Sequence, residues 1–149
     1  MNIIYCLGDI LEANTYALVN PVNTVGIAGK GLAAQVKKAY PGAHEEYKKN
    51  CIRGLLRVGR CLPIFHEGRL IIFLATKKHW RDRSALAGIF AGLLNLREYL
   101  IAYSIPSVAL PKVGCGNGGL AWKDVASFVH FSLIGIPTKV YVYGEPYEP

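Results

Sequence analysis

Two glycine-rich segments carry the residue types best suited to binding an anion. The first runs from Val22 to Pro41 and reads VNTVGIAGKGLAAQVKKAYP, and the second, KVGCGNGGL, covers residues 112–120. Glycine lets a backbone approach a phosphate closely and turn successive N–H groups toward it. A helix predicted to start after Gly29 would add the positive end of its dipole. Both segments are therefore candidate phosphate cradles, although each, taken alone, fits a simple turn equally well.

The first segment does not match the common nucleotide-binding loops. A Walker A loop requires G-x-x-x-x-G-K-[ST], and no glycine here precedes Lys-Ser or Lys-Thr. Gly29 to Ala34 does satisfy G-x-G-x-x-A, but a dinucleotide site places the first glycine directly after a strand and an acidic residue about 20 residues later. Eight residues separate Asn20 from Gly29, and Glu45 and Glu46 lie in a polar segment. A Walker A loop is thus excluded, and a Rossmann site is disfavoured.

Polar and basic side chains follow several predicted strands. Asp9 comes after the first strand, with a carboxylate suited to accepting a hydrogen bond from a base or a ribose. Asn20 and Asn23 place two amides at the mouth of the second strand. A later strand is followed by TKKHWRDR, residues 76–83, in which four of eight residues are Lys or Arg. These groups are the candidates for contacts beyond a phosphate.

The apolar pattern predicts strands that alternate with helices. We expect strands in NIIYC, YALVN, RCLPIF, LIIFLA, SVALP and KVYVYG, with a hairpin turn at 66–69 and the second strand ended by Pro21. We expect helices over 30–40, within AHEEYKKNC, over 85–103 with Ser84 as its cap, and over 124–133. The apolar stripe of the third helix is predicted to comprise Leu86, Ile89, Phe90, Leu93, Leu94 and Leu100. This alternation favours an α/β sheet covered on both faces.

Composition limits the partners and the compartment. Seventeen Lys and Arg against ten Asp and Glu give a net charge of +7, which favours polyanionic partners but also fits a solvated basic surface. No apolar run reaches the roughly 18–20 residues that span a bilayer, and the N-terminus lacks signal-peptide features. The four cysteines have no zinc spacing, and Cys6 and Cys115 are expected as buried free thiols. We expect a reduced, cytoplasmic, metal-free protein with no membrane partner.

This combination of segments resembles the macrodomain family, whose members bind ADP-ribose. The resemblance is carried by GDI (8–10), ALVNPVNTVGIAGKGLA (17–33) and ALPKVGCGNGGLAW (109–122). A fourth segment, LATKKHWRDRS (74–84), is similar to the DNA-directed macrodomains of the DarG type, which are related to the terminal ADP-ribose glycohydrolases. The likeness covers essentially the whole chain. It implies a freestanding single macrodomain over residues 1–149, with three α/β/α layers and a mixed central sheet of about six strands.

The resemblance also implies roles for individual residues. Asp9 would meet adenine, Asn23 would bind the distal ribose at the catalytic centre, Asn20 would be structural, and the two glycine segments would wrap the diphosphate. The implied ligand-binding residues are Gly8, Asp9, Ile10, Asn20, Gly26, Ile27, Gly29, Lys30, Gly31, Val113, Gly114, Cys115, Gly116, Asn117 and Gly118. Lys77 is the implied catalytic residue, which could attack C1″ or stabilise charge in the transition state; the alternative is that it only binds phosphate or nucleic acid.

The segment after Lys77 is the expected contact with the rest of the substrate. His79, Trp80 and Arg81 would touch nucleic acid through stacking and phosphate pairing; the alternative places Trp80 in the core. Trp122 is expected in the core. Two positions depart from related members: Gly118 stands where hydrolases of protein adducts carry aspartate, and Ala121 stands where many DNA-type members carry an acidic residue.

The function implied by the resemblance is removal of ADP-ribose from modified DNA, with a thymidine linkage expected and RNA as a further possible substrate. Two alternatives stay open: hydrolysis of small derivatives such as ADP-ribose 1″-phosphate or O-acetyl-ADP-ribose, and a non-catalytic reader of ADP-ribose. In every case we expect a monomer that needs no cofactor.

Overall fold

A six-stranded mixed sheet forms the middle layer of the computed structural model, which describes residues 1–149. The strands are β1 (Ile3–Tyr5), β2 (Ala17–Asn23), β3 (Cys61–His66), β4 (Arg69–Lys77), β5 (Ser107–Leu110) and β6 (Lys139–Val142). The helices are α1 (Gly31–Ala39), α2 (Pro41–Ile52), α3 (Leu86–Ala102) and α4 (Trp122–Leu133). The strand order is β1-β6-β5-β2-β4-β3, and only the β3–β4 hairpin is antiparallel. The predicted three-layer α/β/α fold is confirmed.

The central strands are apolar on both faces because each face is covered by helices. Along β4, Leu70, Ile72 and Leu74 join the core beneath α3 and α4. The alternate residues Ile71 and Phe73 join the core beneath α1 and α2. This alternation follows from the two-residue repeat of a strand. The five parallel strands run in the same direction. Their carboxyl ends therefore lie at one common edge of the sheet, where the connecting loops meet.

The second strand is longer than the sequence predicts. It continues through Pro21 to Asn23, with a register shift between Val22 and Asn23. Proline is tolerated here because β2 pairs with β5 only at Ala17 and Leu18. On the β5 side, the later residues of β2 have no strand partner, so the missing N–H of Pro21 breaks no ladder hydrogen bond there. The consequence is that Asn23 is held by the sheet at its carboxyl edge.

The third helix differs from its prediction in two respects. Leu86, Phe90 and Leu94 are each more than one-third exposed, and the buried stripe comprises Ile89, Gly92, Leu93, Leu96 and Leu100. Phe90 lies beside Phe128 of α4, with ring centroids 5.2 Å apart, at the rim of the helix pair. Ser84 does not cap the helix, because Ala85 occupies the cap position and no side chain bonds the first turn.

All four cysteines are free, but Cys6 and Cys115 are half-buried instead of buried, because both lie beside loops at the edge of the sheet. No helix has the length and apolar character needed to cross a bilayer.

Candidate active site

A cleft of about 1200 Å³ opens at the carboxyl edge of the sheet. It is lined by residues that follow β1, β2, β4, β5 and β6, and by the first turn of α1. Ligands of parallel α/β sheets bind outside the carboxyl ends of the strands, where loops can be shaped without disturbing the core. Both glycine segments border this one cleft, as the sequence predicts.

The side chain of Asn23 holds the first glycine segment in shape. Its Oδ1 accepts hydrogen bonds from the backbone N–H groups of Val25, Gly26 and Ile27 at 3.1, 3.0 and 3.4 Å. Its Nδ2 donates to the carbonyl oxygen of Ile27 at 2.8 Å. Gly26 takes a φ of +95° against α2, a conformation that favours glycine. The amide of Asn23 therefore shapes the loop, and in this structure its polar atoms are already engaged.

Tyr47 on α2 completes this network from beneath. Its hydroxyl donates to Asn23 O at 2.7 Å and approaches Asn23 Oδ1 at 3.0 Å. Its ring stacks on Phe73 with centroids 5.0 Å apart and is fully buried. Burial raises the pKa of the Tyr47 hydroxyl above its usual range, so the group remains a hydrogen-bond donor at neutral pH. Tyr47 thus positions Asn23 and, through it, the loop at 25–27.

Replacing Tyr47 by phenylalanine should separate this positioning role from simple packing. Tyr47→Phe keeps the ring stacked on Phe73 but leaves Asn23 without its buried donor, so we expect a loss of about 1 kcal/mol in unfolding free energy and weaker binding of the ADP-ribose that the resemblance implies. Urea unfolding and calorimetry measure the two effects. Tyr99→Phe is the matched control, since Tyr99 is half-buried outside the cleft. Equal behaviour of the two variants would contradict the positioning role.

The second glycine segment is closely packed at Gly118. A Cβ at this residue would lie 2.4 Å from Gly114 O and 2.6 Å from Ser84 Oγ, which is closer than real Cβ contacts allow. Any side chain at residue 118, including the aspartate that the resemblance associates with hydrolases of protein adducts, would therefore require this loop to move. A Cβ on Gly31 would lie 3.4 Å from Asn117 Nδ2, so the start of α1 faces the second segment across the cleft. No contact in the structure explains Ala121.

Lys77, at the end of β4, links the segment that follows this strand to the second glycine segment. Its Nζ donates to Trp80 O at 3.2 Å and to Asn117 O at 3.5 Å. The side chain is half-buried, whereas Lys78 is exposed and does not line the cleft. Consecutive residues at a strand end point in opposite directions. Of the two adjacent lysines, only Lys77 therefore faces the cleft. An amine held this way is a hydrogen-bond donor aimed at whatever occupies the cleft.

The far end of the cleft contains the acidic group. Asp9 Oδ1 accepts from Leu11 N at 3.0 Å and so caps the short 3-10 turn Ile10–Glu12. Its second carboxylate oxygen makes no hydrogen bond within the protein and is exposed beside the cleft. Tyr143, directly after β6, adds a half-buried aromatic ring to this end. A carboxylate beside an aromatic ring suits a base that carries an amino group.

The rim beside Lys77 carries an exposed aromatic and cationic pair. Trp80 is 39% exposed and the guanidinium of Arg81 lies 4.5 Å from its ring centroid. Both line the cleft, whereas His79 does not and instead packs against Trp80, with centroids 5.0 Å apart. The alternative of Trp80 in the core is therefore wrong. Trp122 also differs from its predicted place in the core. It is half-buried, lines the cleft, and donates from Nε1 to Glu145 O at 2.9 Å.

The structure brings most of the predicted site residues together. The cleft is lined by Gly8, Asp9, Ile10, Asn23, Ile27, Gly29, Lys30, Gly31, Lys77, Trp80, Arg81, Gly114, Cys115, Gly116, Asn117 and Gly118. Four predicted residues lie outside its lining: Asn20, Gly26, Val113 and His79. Asn20 and Val113 are buried under the cleft, and Gly26 packs against α2. The sequence missed Gln35, Ser84, Lys112, Trp122 and Tyr143 as lining residues, because nothing in their local pattern marks them.

The cleft contains one thiol. Burial raises the pKa of the Cys115 thiol, and this disfavours the thiolate, which is the reactive form. No group of three or more His, Cys, Asp or Glu side chains is placed to hold a metal ion.

The comparisons with known proteins agree with this geometry. The Macro domain family model matches residues 19–129. The DNA ADP-ribosyl glycohydrolase of Mycobacterium tuberculosis is 48% identical over 83% of this chain, and that of Thermus aquaticus is 41% identical over 95%. The chain spans 36% and 40% of the lengths of these two relatives.

The solved macrodomain of Mycobacterium tuberculosis DarG superposes with a TM-score of 0.93 at 40% identity, covering 96% of this chain and 97% of that one. Thermosipho africanus DarTG, solved in complex with ADP-ribose, superposes with a TM-score of 0.83 at 30% identity, covering 99% of this chain and 43% of that one. The chain therefore belongs to the macrodomain family.

Proposed function

We propose that this chain releases ADP-ribose from ADP-ribosylated DNA, with a thymidine base as the modified group. The observation that carries the proposal is Lys77, whose Nζ is held by carbonyl oxygens of Trp80 and Asn117 at the junction of the segment after β4 with the second glycine segment. The DNA substrate is supported by the two relatives described above, which are DNA ADP-ribosyl glycohydrolases. A protein that only held ADP-ribose would need backbone donors and Asp9, but no lysine at this junction.

In this proposal ADP-ribose lies along the cleft with its adenine at the Asp9 end and its terminal ribose at the Lys77 end. Asp9 and Tyr143 offer an acceptor and an aromatic face to adenine at one end. The two glycine segments face each other in the middle, and the N-terminus of α1 lies there without a side-chain cap. Backbone N–H groups and a helix N-terminus are suited to a diphosphate. The terminal ribose then lies beside Lys77, with its anomeric carbon C1″ toward the rim.

In this pose the reaction is hydrolysis of a glycosidic bond. The bond between C1″ and the base nitrogen breaks, the electron pair stays on the base, and water supplies a hydroxyl to C1″ and a proton to the base. Charge builds on the leaving base as the bond lengthens. The ammonium of Lys77 is placed to donate to that base, and a preorganised donor acts where charge develops. Asn23 contributes by holding the loop that lies beside the ribose.

The rim supplies the contacts that a strand of DNA would use. Trp80 is exposed enough to stack on a base, and Arg81 is free to turn from the Trp80 ring toward a phosphate. The net charge of +7 favours approach of a polyanion. These features distinguish DNA from small ADP-ribose derivatives, which would end at the ribose and leave the rim unused.

A comparison of three substrates tests the proposal. Wild-type protein should release ADP-ribose from a thymidine-modified oligonucleotide at least tenfold faster, in kcat/KM, than it hydrolyses ADP-ribose 1″-phosphate or O-acetyl-ADP-ribose, because only the first substrate reaches the rim; the tenfold minimum corresponds to about 1.4 kcal/mol of additional transition-state binding. Faster turnover of either small substrate would replace the proposal with hydrolysis of small derivatives. Binding of ADP-ribose without turnover of any substrate would make the chain a reader.

A further inference from the structure

Ser84 has a buried hydroxyl with no partner in the protein. The residue is 6% exposed, and its Oγ makes no hydrogen bond to any protein group. It lines the cleft, between the rim segment and α3. A buried hydroxyl without a hydrogen bond destabilises the fold, and buried polar groups are therefore almost always paired. A hydroxyl kept in this state at a ligand cleft suggests that its partner is the ligand.

The backbone and surroundings of Ser84 fix where the hydroxyl lies. Its N–H donates to Gly118 O at 2.9 Å, and a Cβ on Gly118 would come within 2.6 Å of the Oγ. Glycine at position 118 thus avoids a collision with this hydroxyl. Lys77 donates to the carbonyl of the preceding residue, Asn117. Ser84 and Lys77 therefore reach consecutive residues of the second glycine segment, at the same end of the cleft.

We propose that Ser84 Oγ hydrogen-bonds to the terminal ribose of bound ADP-ribose. A serine hydroxyl both donates and accepts, so it complements a ribose hydroxyl, which does the same. The inference rests on the proposed function in one respect, since Lys77 identifies the end of the cleft at which the terminal ribose lies. It assigns to Ser84 a binding contact at the reacting sugar, distinct from the contacts to adenine and the diphosphate.

The chain contains a matched control for this residue. Ser132 on α4 is 2% exposed and its Oγ also has no protein partner, but it does not line the cleft. Removing either hydroxyl deletes an unpaired polar atom, so neither Ser84→Ala nor Ser132→Ala should lower the melting temperature. Only Ser84→Ala should alter ligand binding.

The experiment compares ADP-ribose with ADP, which lacks the terminal ribose. By calorimetry, Ser84→Ala should weaken ADP-ribose binding by about 3- to 10-fold, the range for one neutral hydrogen bond, and leave the affinity for ADP unchanged. Ser132→Ala should match the wild type for both ligands. The difference between the two ligands is a readout that a purely structural role of Ser84 would not move.

Three results would overturn the inference: unchanged ADP-ribose affinity in Ser84→Ala, an equal loss for ADP and ADP-ribose, or failure of Ser84→Ala to fold, since an unpaired hydroxyl cannot be required for folding. Release assays on the same proteins keep the two proposals apart. A wild type that binds ADP-ribose but releases none from DNA contradicts the proposed function and leaves the Ser84 contact standing. A wild type that turns over while Ser84→Ala binds equally well contradicts the Ser84 contact alone.

Discussion

Lys77→Ala should lower kcat for release of ADP-ribose from a modified oligonucleotide by about 100-fold or more, the range for loss of one catalytic donor. Its affinity for free ADP-ribose should stay close to that of the wild type, because the lost interaction forms mainly in the transition state. The side chain makes hydrogen bonds only to the carbonyls of Trp80 and Asn117, both exposed residues, so folding should tolerate its removal. Single-turnover kinetics and calorimetry measure the two quantities.

The neighbouring lysine is the control for this prediction. Lys78 has the same charge, lies one residue further along the chain, and is exposed outside the cleft. Lys78→Ala therefore matches Lys77→Ala in the change of net charge, and its kcat should remain within about twofold of the wild type, a change well below one kcal/mol. Equal losses of kcat in the two variants would show that Lys77 acts through general charge and not as a catalytic group.

Gly116→Val should reduce ADP-ribose affinity by about 100-fold or more while the protein remains folded, since displacing a diphosphate from its backbone donors removes several charge-assisted hydrogen bonds. Gly116 lines the cleft and is exposed, and a Cβ there would meet no atom within 4 Å. The added side chain thus has room in the free protein and occupies space that a ligand would need. Calorimetry and thermal unfolding report the two effects separately.

A graded series strengthens the test of the cradle. Gly116→Ala should cause a smaller loss than Gly116→Val, because a single methyl group fills less of the cleft. Gly29→Val, on the opposite segment, should also block binding, since a Cβ at Gly29 likewise meets nothing within 4 Å and the residue lines the cleft. Retained affinity in folded Gly116→Val and Gly29→Val would place the diphosphate elsewhere.

The layers and the location of the site follow from local patterns that the sequence displays. The apolar run of β4 and the glycine segments after β2 and β5 depend on neighbours in the chain, so they could be predicted. The Asn23–Tyr47 hydrogen bonds could not, because they join residues 24 positions apart across the interface of α2 and the sheet. No local signal distinguishes Tyr47 from other aromatic residues on a polar helix.

Ser84 shows how a local rule can fail at a functional site. A serine before an apolar helix favours capping, yet Ser84 N donates to Gly118 O of the second glycine segment, and Ala85 takes the cap position instead. The third helix shows a second limit. Its periodicity predicted a stripe, but the position of α4 beside it, which leaves Phe90 40% exposed, decided which apolar residues are covered. Both outcomes were set by tertiary contacts.

The most direct test of the central claim is the rate of ADP-ribose release from a thymidine-modified oligonucleotide by wild-type protein at about 50 and 200 mM salt, with Lys77→Ala as the blank. If docking neutralises two phosphates of a single strand, KM should rise about sevenfold between these concentrations while kcat changes little. Release that depends on Lys77 and weakens with salt in this way is the predicted result. Absence of release from the modified strand at both salt concentrations, by protein that binds ADP-ribose, would contradict the claim.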